Sequence, residues 1–245
     1  MTNLSCNLNK VATIRNTRPI GMPDVVRFAE ICLAAGAHGI TVHPRPDERH
    51  IRRSDVADLA SFLRKWPKAE FNIEGNPFTG ALEIVREIRP TQFTLVPDDP
   101  GAGTSDHGWD IRANEDRLKP VIAECRALGI RVSLFVDGEG WDGSRIKALG
   151  ADRVELYTEP YAQAFARSDA HRVLPIFAGA ARNAQAAGLG VNAGHDLNTE
   201  NLPGFLAAVP DILEVSIGHA LVSDALEFGM AQAVRRYLDI LSVER

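Results

Sequence analysis

Residues able to do acid–base chemistry and bind anions crowd one stretch of this chain, from Gly39 to Arg52, which reads Gly-Ile-Thr-Val-His-Pro-Arg-Pro-Asp-Glu-Arg-His-Ile-Arg. Ile40, Thr41 and Val42 are β-branched and read as a short buried strand. Pro44 and Pro46 keep the residues before them out of the helical region, so the chain leaves the strand extended, with His43 and Arg45 on one side. This sets an imidazole that titrates near neutrality beside a guanidinium fork suited to phosphate, and Arg49, His50 and Arg52 follow. The stretch reads as an anion-binding and proton-transfer site; the plain alternative is a solvated basic turn.

Such a site needs partners from elsewhere in the chain. Strand candidates are Leu4 to Leu8, Gly39 to His43, Ala69 to Glu74, Gln92 to Val96, Arg131 to Asp137, Arg153 to Tyr157, Gly190 to Ala193 and Leu213 to Ile217. Helical patterns fall at about Pro23 to Ala35, Ser54 to Lys65, Thr79 to Ile88, Asn114 to Leu128, Gly143 to Leu149, Asp169 to Ala187, Asn201 to Ala208 and Ala220 to Leu241. Ser54 is the expected N-cap of the second pattern, and Gly36, Gly129, Gly150 and Gly188 fall just past helix ends. Eight such units in 245 residues predict one α/β domain, a (β/α)₈ TIM barrel over 1–245. A doubly wound open sheet is the rival, but the first strand runs into Asn7-Leu-Asn-Lys without the glycine-rich turn that fold favours.

Active sites of such barrels lie at the carboxyl ends of the strands. Asn7, Asn9, His43, Arg45, Glu74, Asp137, Glu155, Tyr157, Asn192, His195, Gly218 and His219 all fall there. Neighbouring strands bring His43 and Glu74 together, as a proton relay or as a structural pair. Gly218-His219 opens the last helix, whose N-terminus suits a phosphate, with Arg18 as a possible addition. The loop from Pro97 to Trp109 is longer than most βα connections and reads as a lid docked by Trp109 or as a disordered excursion; Trp66 and Trp141 read as surface or packing residues. His43, Glu74, His195 and His219 form a conceivable metal set, yet the first strand ends in Asn7-x-Asn9 rather than His-x-His, so no metal is expected. Only Lys10 lies near a strand's carboxyl end, and it reads as a cation rather than a Schiff-base amine.

With 45% hydrophobic and 24% charged residues the chain can bury a full core, and its net charge of -5 gives no footprint for nucleic acid. The three cysteines are widely spaced, no stretch reads as a signal peptide and none approaches a membrane span, so a soluble cytoplasmic protein is expected.

Taken together, Ala12-Thr-Ile-Arg-Asn-Thr-Arg18, Gly39 to Ile51, Phe71-Asn-Ile-Glu74, Leu95-Val-Pro97, Val132-Ser-Leu-Phe135, Val191-Asn-Ala-Gly-His195 and Ile217-Gly-His-Ala220 resemble the pyridoxine 5'-phosphate synthase family of vitamin B6 biosynthesis over nearly the whole length. The resemblance implies a cofactor-free barrel, assembled as a homo-octamer, that condenses 3-amino-2-oxopropyl phosphate with 1-deoxy-D-xylulose 5-phosphate and releases phosphate and water. It implies His43 and Glu74 as proton acceptors and His195 as proton donor. Asn7, Arg18, Gly218 and His219 match positions that hold the aminoketone phosphate; Asn9, Lys10, Arg45, His50 and Thr104 match those facing the pentulose phosphate. Asn9 and Lys10 stand where the family pattern has Asp-His, and Asp196 follows His195 in place of Gly, as in a variant branch. Another phosphate-sugar isomerase or aldolase, or a non-catalytic phosphate-binding barrel, are the alternative readings.

Overall fold

The computed structural model describes residues 2–99, 101 and 103–243. Eight parallel strands close in chain order: β1 (Asn3–Asn7), β2 (Gly39–Val42), β3 (Glu70–Gly75), β4 (Gln92–Leu95), β5 (Arg131–Val136), β6 (Arg153–Leu156), β7 (Gly190–His195) and β8 (Ile212–Ile217), which returns to β1 through the register Asn3↔Glu214 to Cys6↔Ile217. The (β/α)₈ barrel expected from the periodicity is therefore present, with strand boundaries shifted by no more than two residues.

The helices are α1 (Asn9–Asn16), α2 (Val25–Ala34), α3 (Arg53–Leu63), α4 (Ala81–Ile88), α5 (Ile111–Ala127), α6 (Gly143–Leu149), α7 (Glu159–Ala166), α8 (Ala170–Ala186), α9 (Leu202–Ala208), α10 (His219–Phe228) and α11 (Met230–Leu241). Asp24, Asp110 and Asp142 cap α2, α5 and α6 by accepting backbone N–H bonds. Ser54 does not cap α3: the cap position is Arg52, whose N–H is held by Asp55 Oδ2 at 2.7 Å, and Ser54 lies inside the helix. The single final helix expected from the sequence is two, because Gly229, at φ 77° and ψ 147°, leaves helical space between α10 and α11. Helices α1 and α7 were not foreseen.

Alternation along each strand separates two very different faces. Outward residues such as Leu4, Cys6, Ile40, Val42, Ile73, Phe93, Leu95, Val132, Leu134, Val154, Leu156, Val191, Val215 and Ile217 join the helices in one apolar cluster. The residues between them line the barrel axis and are mostly polar. Ser5 and Thr41 share a 2.7 Å hydrogen bond, and Asn72 joins Thr41 to Thr94. Toward the amino ends, Arg131 holds Gln92 and Glu70, while Arg153 holds Asn192 and both guanidinium groups face buried Glu214. The wall of helices, not the axis, is thus the hydrophobic core; Val96, Phe135 and Tyr157 form a small apolar cluster of their own.

Candidate active site

At the carboxyl ends of the strands a cavity of about 180 Å³ opens, and Asn7, Asn9, Lys10, His43, Arg45, His50, Thr104, His195, Asp196, Gly218 and His219 all line it. The strand-end residues Asp137, Glu155, Tyr157 and Asn192 do not line it, and of the residues that the resemblance implies for the site, two do not. Glu74 lies beneath the lining, buried and within reach of His43. Arg18 is exposed in the segment after α1 and does not reach the cavity of this chain.

The His43 ring sits between two carboxylates. Its Nδ1 is 3.8 Å from Glu74 Oε2, and its Nε2 is 3.8 Å from Asp98 Oδ2. Asn9 Oδ1 accepts the His43 backbone N–H at 2.9 Å, and Asn7 Oδ1 accepts that of Asn9, so the two asparagines tie the end of β1 to the end of β2. Burial first, then Arg45, His50, His195 and Arg49, hold the His43 pKa well below 6.5, leaving the imidazole neutral near pH 7. Glu74 is pushed the other way, to about 8, by burial and then by Asp98 and Glu214. Its Oε2 accepts weakly from Asn7 Nδ2 at 3.4 Å, and Oε1 has no hydrogen-bond partner among the described residues. A carboxyl that keeps its proton beside an imidazole that lacks one is a pair poised for proton exchange.

His195 ends β7 at φ 60°, and the N–H of Asp196 closes back on Gly194 O at 2.8 Å, the pattern of a tight γ-turn of the rarer hand. Gly194 is required there, since a Cβ would lie 2.5 Å from Ser216 O. The turn presents His195 to the cavity against Phe135, 6.1 Å between ring centroids. Burial, Lys10 and Arg45 lower its pKa to about 4, whereas burial and then Glu159 raise that of Asp196 to about 6.

On the His50 side of the cavity, α1 fixes the loop that carries that histidine: Arg15 Nη2 and Asn16 Nδ2 donate to His50 O at 3.0 and 2.8 Å. His50 Nδ1 accepts the N–H of Ile51 at 2.9 Å, which leaves Nε2 as the hydrogen-bearing nitrogen. Its pKa falls to about 4 through burial and the nearby Arg45, Lys10 and Arg49. Arg45 is buried and pairs with Asp98. Opposite, Gly218 precedes α10. Its φ of -121° is open to any residue, but an added Cβ would sit 3.2 Å from Asn7, so packing against β1 is what favours glycine.

The loop after β4 is anchored at both ends. Asn76 Nδ2 holds Asp98 O at 3.0 Å, while Trp109 is buried, donates to Leu95 O at 2.9 Å and stands edge-on to Phe78. Gly108 packs so tightly on β5 that a Cβ would be 2.4 Å from Asp137 N. Trp66 and Trp141 are half-buried against the core, as expected of packing residues. The metal set considered from sequence does not assemble: among the described residues no three His, Cys, Asp or Glu side chains are grouped to hold an ion. Sequence reasoning did not single out Asp98, hidden among three aspartates of its loop, or Ser105 and Ser216, which also line the cavity. Glu155 is buried toward the same interior, with its carboxyl held well above the ordinary range by burial, Glu74 and Glu214.

Fold and site together define a (β/α)₈-barrel protein with an acid–base and anion-binding centre at the carboxyl ends of its strands. The match to known proteins is specific: residues 4–243 fit the family described as "Pyridoxal phosphate biosynthesis protein PdxJ", and the chain belongs to that family. The protein named pyridoxine 5'-phosphate synthase in Albidiferax ferrireducens is 53% identical over 249 positions, covering 100% of this chain and 99% of the relative. Its namesake in Xanthomonas axonopodis pv. citri is 56% identical over 247, covering 98% and 96%. Among solved structures, a mutant tryptophan synthase alpha-subunit from Pyrococcus furiosus superposes with a TM-score of 0.64 at 14% identity over 97% of this chain and 98% of that one. Phosphoribosyl anthranilate isomerase from Thermus thermophilus gives 0.57 at 14% over 98% of each. Those two share the fold alone.

Proposed function

We propose that this chain is a pyridoxine 5'-phosphate synthase, joining 3-amino-2-oxopropyl phosphate to 1-deoxy-D-xylulose 5-phosphate with loss of phosphate and water, and that it does so without metal or organic cofactor. The observation that carries this reading is the Glu74–His43 pair at the base of a cavity ringed by Arg45, His50, Lys10, Gly218 and His219. The amine for imine formation comes from the substrate, so no lysine need supply it. Glu74 and His43 exchange the protons that imine and enamine formation require, and His195, held toward the cavity by its turn, assists departure of water or phosphate.

Two phosphates call for two grips. Asn7, Gly218 and His219, at the N-terminus of α10, are assigned to the aminoketone phosphate; Asn9, Lys10, Arg45, His50 and Thr104 to the pentulose phosphate. Asp196 borders the aminoketone side. Arg18, implied by resemblance, contributes nothing to this cavity in the single chain. The loop between Pro97 and Trp109 serves as lid, and the working assembly is a homo-octamer; light scattering of the purified protein measures the latter directly. No helix among the described residues is long and apolar enough to cross a membrane.

The decisive experiment is incubation of the purified, chelator-dialysed protein with both substrates, followed by detection of the fluorescent pyridinol product. Product formation without added metal is expected. No product, with or without zinc or manganese, would leave the isomerase, aldolase and binding-protein readings; product only on metal addition would remove the cofactor-free claim.

A further inference from the structure

Asp98 stands on the loop that leaves β4, and its side chain is buried together with that of Arg45. Its Oδ2 takes hydrogen bonds from Arg45 Nη2 and from Ser105 Oγ, the latter at 2.8 Å, and lies 3.8 Å from His43 Nε2. The other oxygen, Oδ1, is buried with no hydrogen-bond partner among the described residues. A half-satisfied buried carboxylate costs stability, so the fold alone gives no reason for it. It touches two groups that the proposed reaction assigns to different tasks: the guanidinium that grips a substrate phosphate and the imidazole that moves a proton.

A carboxylate and a phosphate dianion compete for one guanidinium, because like charges a few ångströms apart repel strongly where water is scarce. We propose that Asp98 is a placeholder anion: it holds the Arg45 fork until the pentulose phosphate takes its place, and the carboxylate so released turns to His43 Nε2 and makes that imidazole a stronger base. The groups facing His43 fit this exchange. Arg45, Arg49 and His50 on its own loop and His195 from β7 oppose its protonation, while Glu74 from β3 and Asp98 are the carboxylates beside it. Engaging Arg45 with phosphate quenches the charge that most opposes His43 protonation just as Asp98 becomes available. Asp98 is thus a positioning residue that ties base strength to occupancy of the phosphate grip, so that proton transfer begins only once the pentulose is seated. This rests on the function proposed above.

The test is Asp98→Asn, with Asp98→Ser measured beside it so that failure of one variant to fold leaves the other, and Asp98→Glu as the charge-retaining control. Titration calorimetry with 1-deoxy-D-xylulose 5-phosphate alone should show both neutral variants binding about tenfold tighter than the native protein, with Asp98→Glu near native. In turnover, kcat should fall about tenfold or more while the KM for the pentulose phosphate also falls and that for the aminoketone stays within about twofold. A merely structural role lowers kcat without tightening any ligand. Equal or weaker pentulose binding in the neutral variants would overturn the exchange, as would failure of the native protein to bind that compound at all. The calorimetric arm needs no turnover, so a native protein that binds but makes no pyridinol refutes the proposed function while the affinities still decide the role of Asp98.

Discussion

Glu70 and Glu74 lie four residues apart on β3 and point the same way, yet one stands at the floor of the barrel and the other at its active rim. At the floor, Glu70 is held by Arg131, chiefly through their hydrogen bonds, and its pKa is lowered. At the rim, Glu74 has no Arg or Lys at hydrogen-bonding distance among the described residues; it has a long bond from Asn7, the His43 imidazole 3.8 Å away and like-charged neighbours, and its pKa rises to about 8. The residue type is identical. What differs is whether the fold supplies a partner: a paired carboxylate is fixed in one charge state, and an unpaired buried one is left able to change it.

The sharpest way to break this comparison is Glu74→Gln, which keeps shape and removes the exchangeable proton. It should lower kcat by about 10²-fold to 10⁴-fold with both KM values little changed, as steady-state kinetics would show. Near-native turnover would make Glu74 as structural as Glu70. Next in size, Arg45→Lys keeps charge but loses the planar fork, and the KM for the pentulose phosphate should rise about tenfold to a hundredfold with less change for the aminoketone. Gly218→Val should do the reverse, because the added carbons crowd Asn7 on the other side of the cavity. Equal losses for both substrates in both variants would point to one shared phosphate grip. At the floor, Arg131→Met should cost about 2 kcal/mol in a denaturant titration and leave kcat within about twofold.

The smallest effect lies in the pH dependence of melting, and it should have opposite signs at the two ends. Glu70, lowered from 4.5, adds stability that is present above that value and is lost as pH falls through its folded pKa. Glu74 binds its proton more tightly folded than unfolded, so between 4.5 and about 8 unfolding releases a proton and stability falls as pH rises. Arg131→Met should therefore flatten the acid side of the melting curve. Glu74→Gln should flatten the alkaline side, melting progressively higher than the native protein as pH rises toward 8.

The strands were legible because each is a short β-branched or apolar-alternating run, bounded in every case but β1 by a nearby glycine or proline, and the ring of polar residues at their ends follows from that placement. Helix α1 was not legible: Thr13, Asn16 and Val11 are weak helix formers, and its work is tertiary, since Arg15 and Asn16 clamp the His50 loop. Helix α7 carries a start signal, Pro160 with Glu159 in its first turn, that the sequence reading passed over. Period-2 alternation in Ser5-Cys6-Asn7 or Asn72-Ile73-Glu74 shows that two faces exist, but only barrel closure decides that the polar one faces the axis. The Asp98–Arg45 contact joins residues 53 apart and carries no local signal. The strain at His195 is likewise invisible in Ala-Gly-His-Asp, since nothing there announces a positive φ.

The outward-facing apolar side of the strands has a further consequence, for how such a molecule assembles. No strand here can bury its apolar face against another strand across the axis; each must find a helix. The smallest unit that removes greasy surface from water is then a few consecutive strand–helix pairs, and the inner surface such a piece exposes is, Phe135 apart, mostly hydroxyl, amide and charge, already at home in water. A barrel sealed by a dry axis would leave a sticky seam when half made. This one would leave a wet trough, so that truncated or partly synthesised chains ending between units should stay soluble while they wait for the remaining strands.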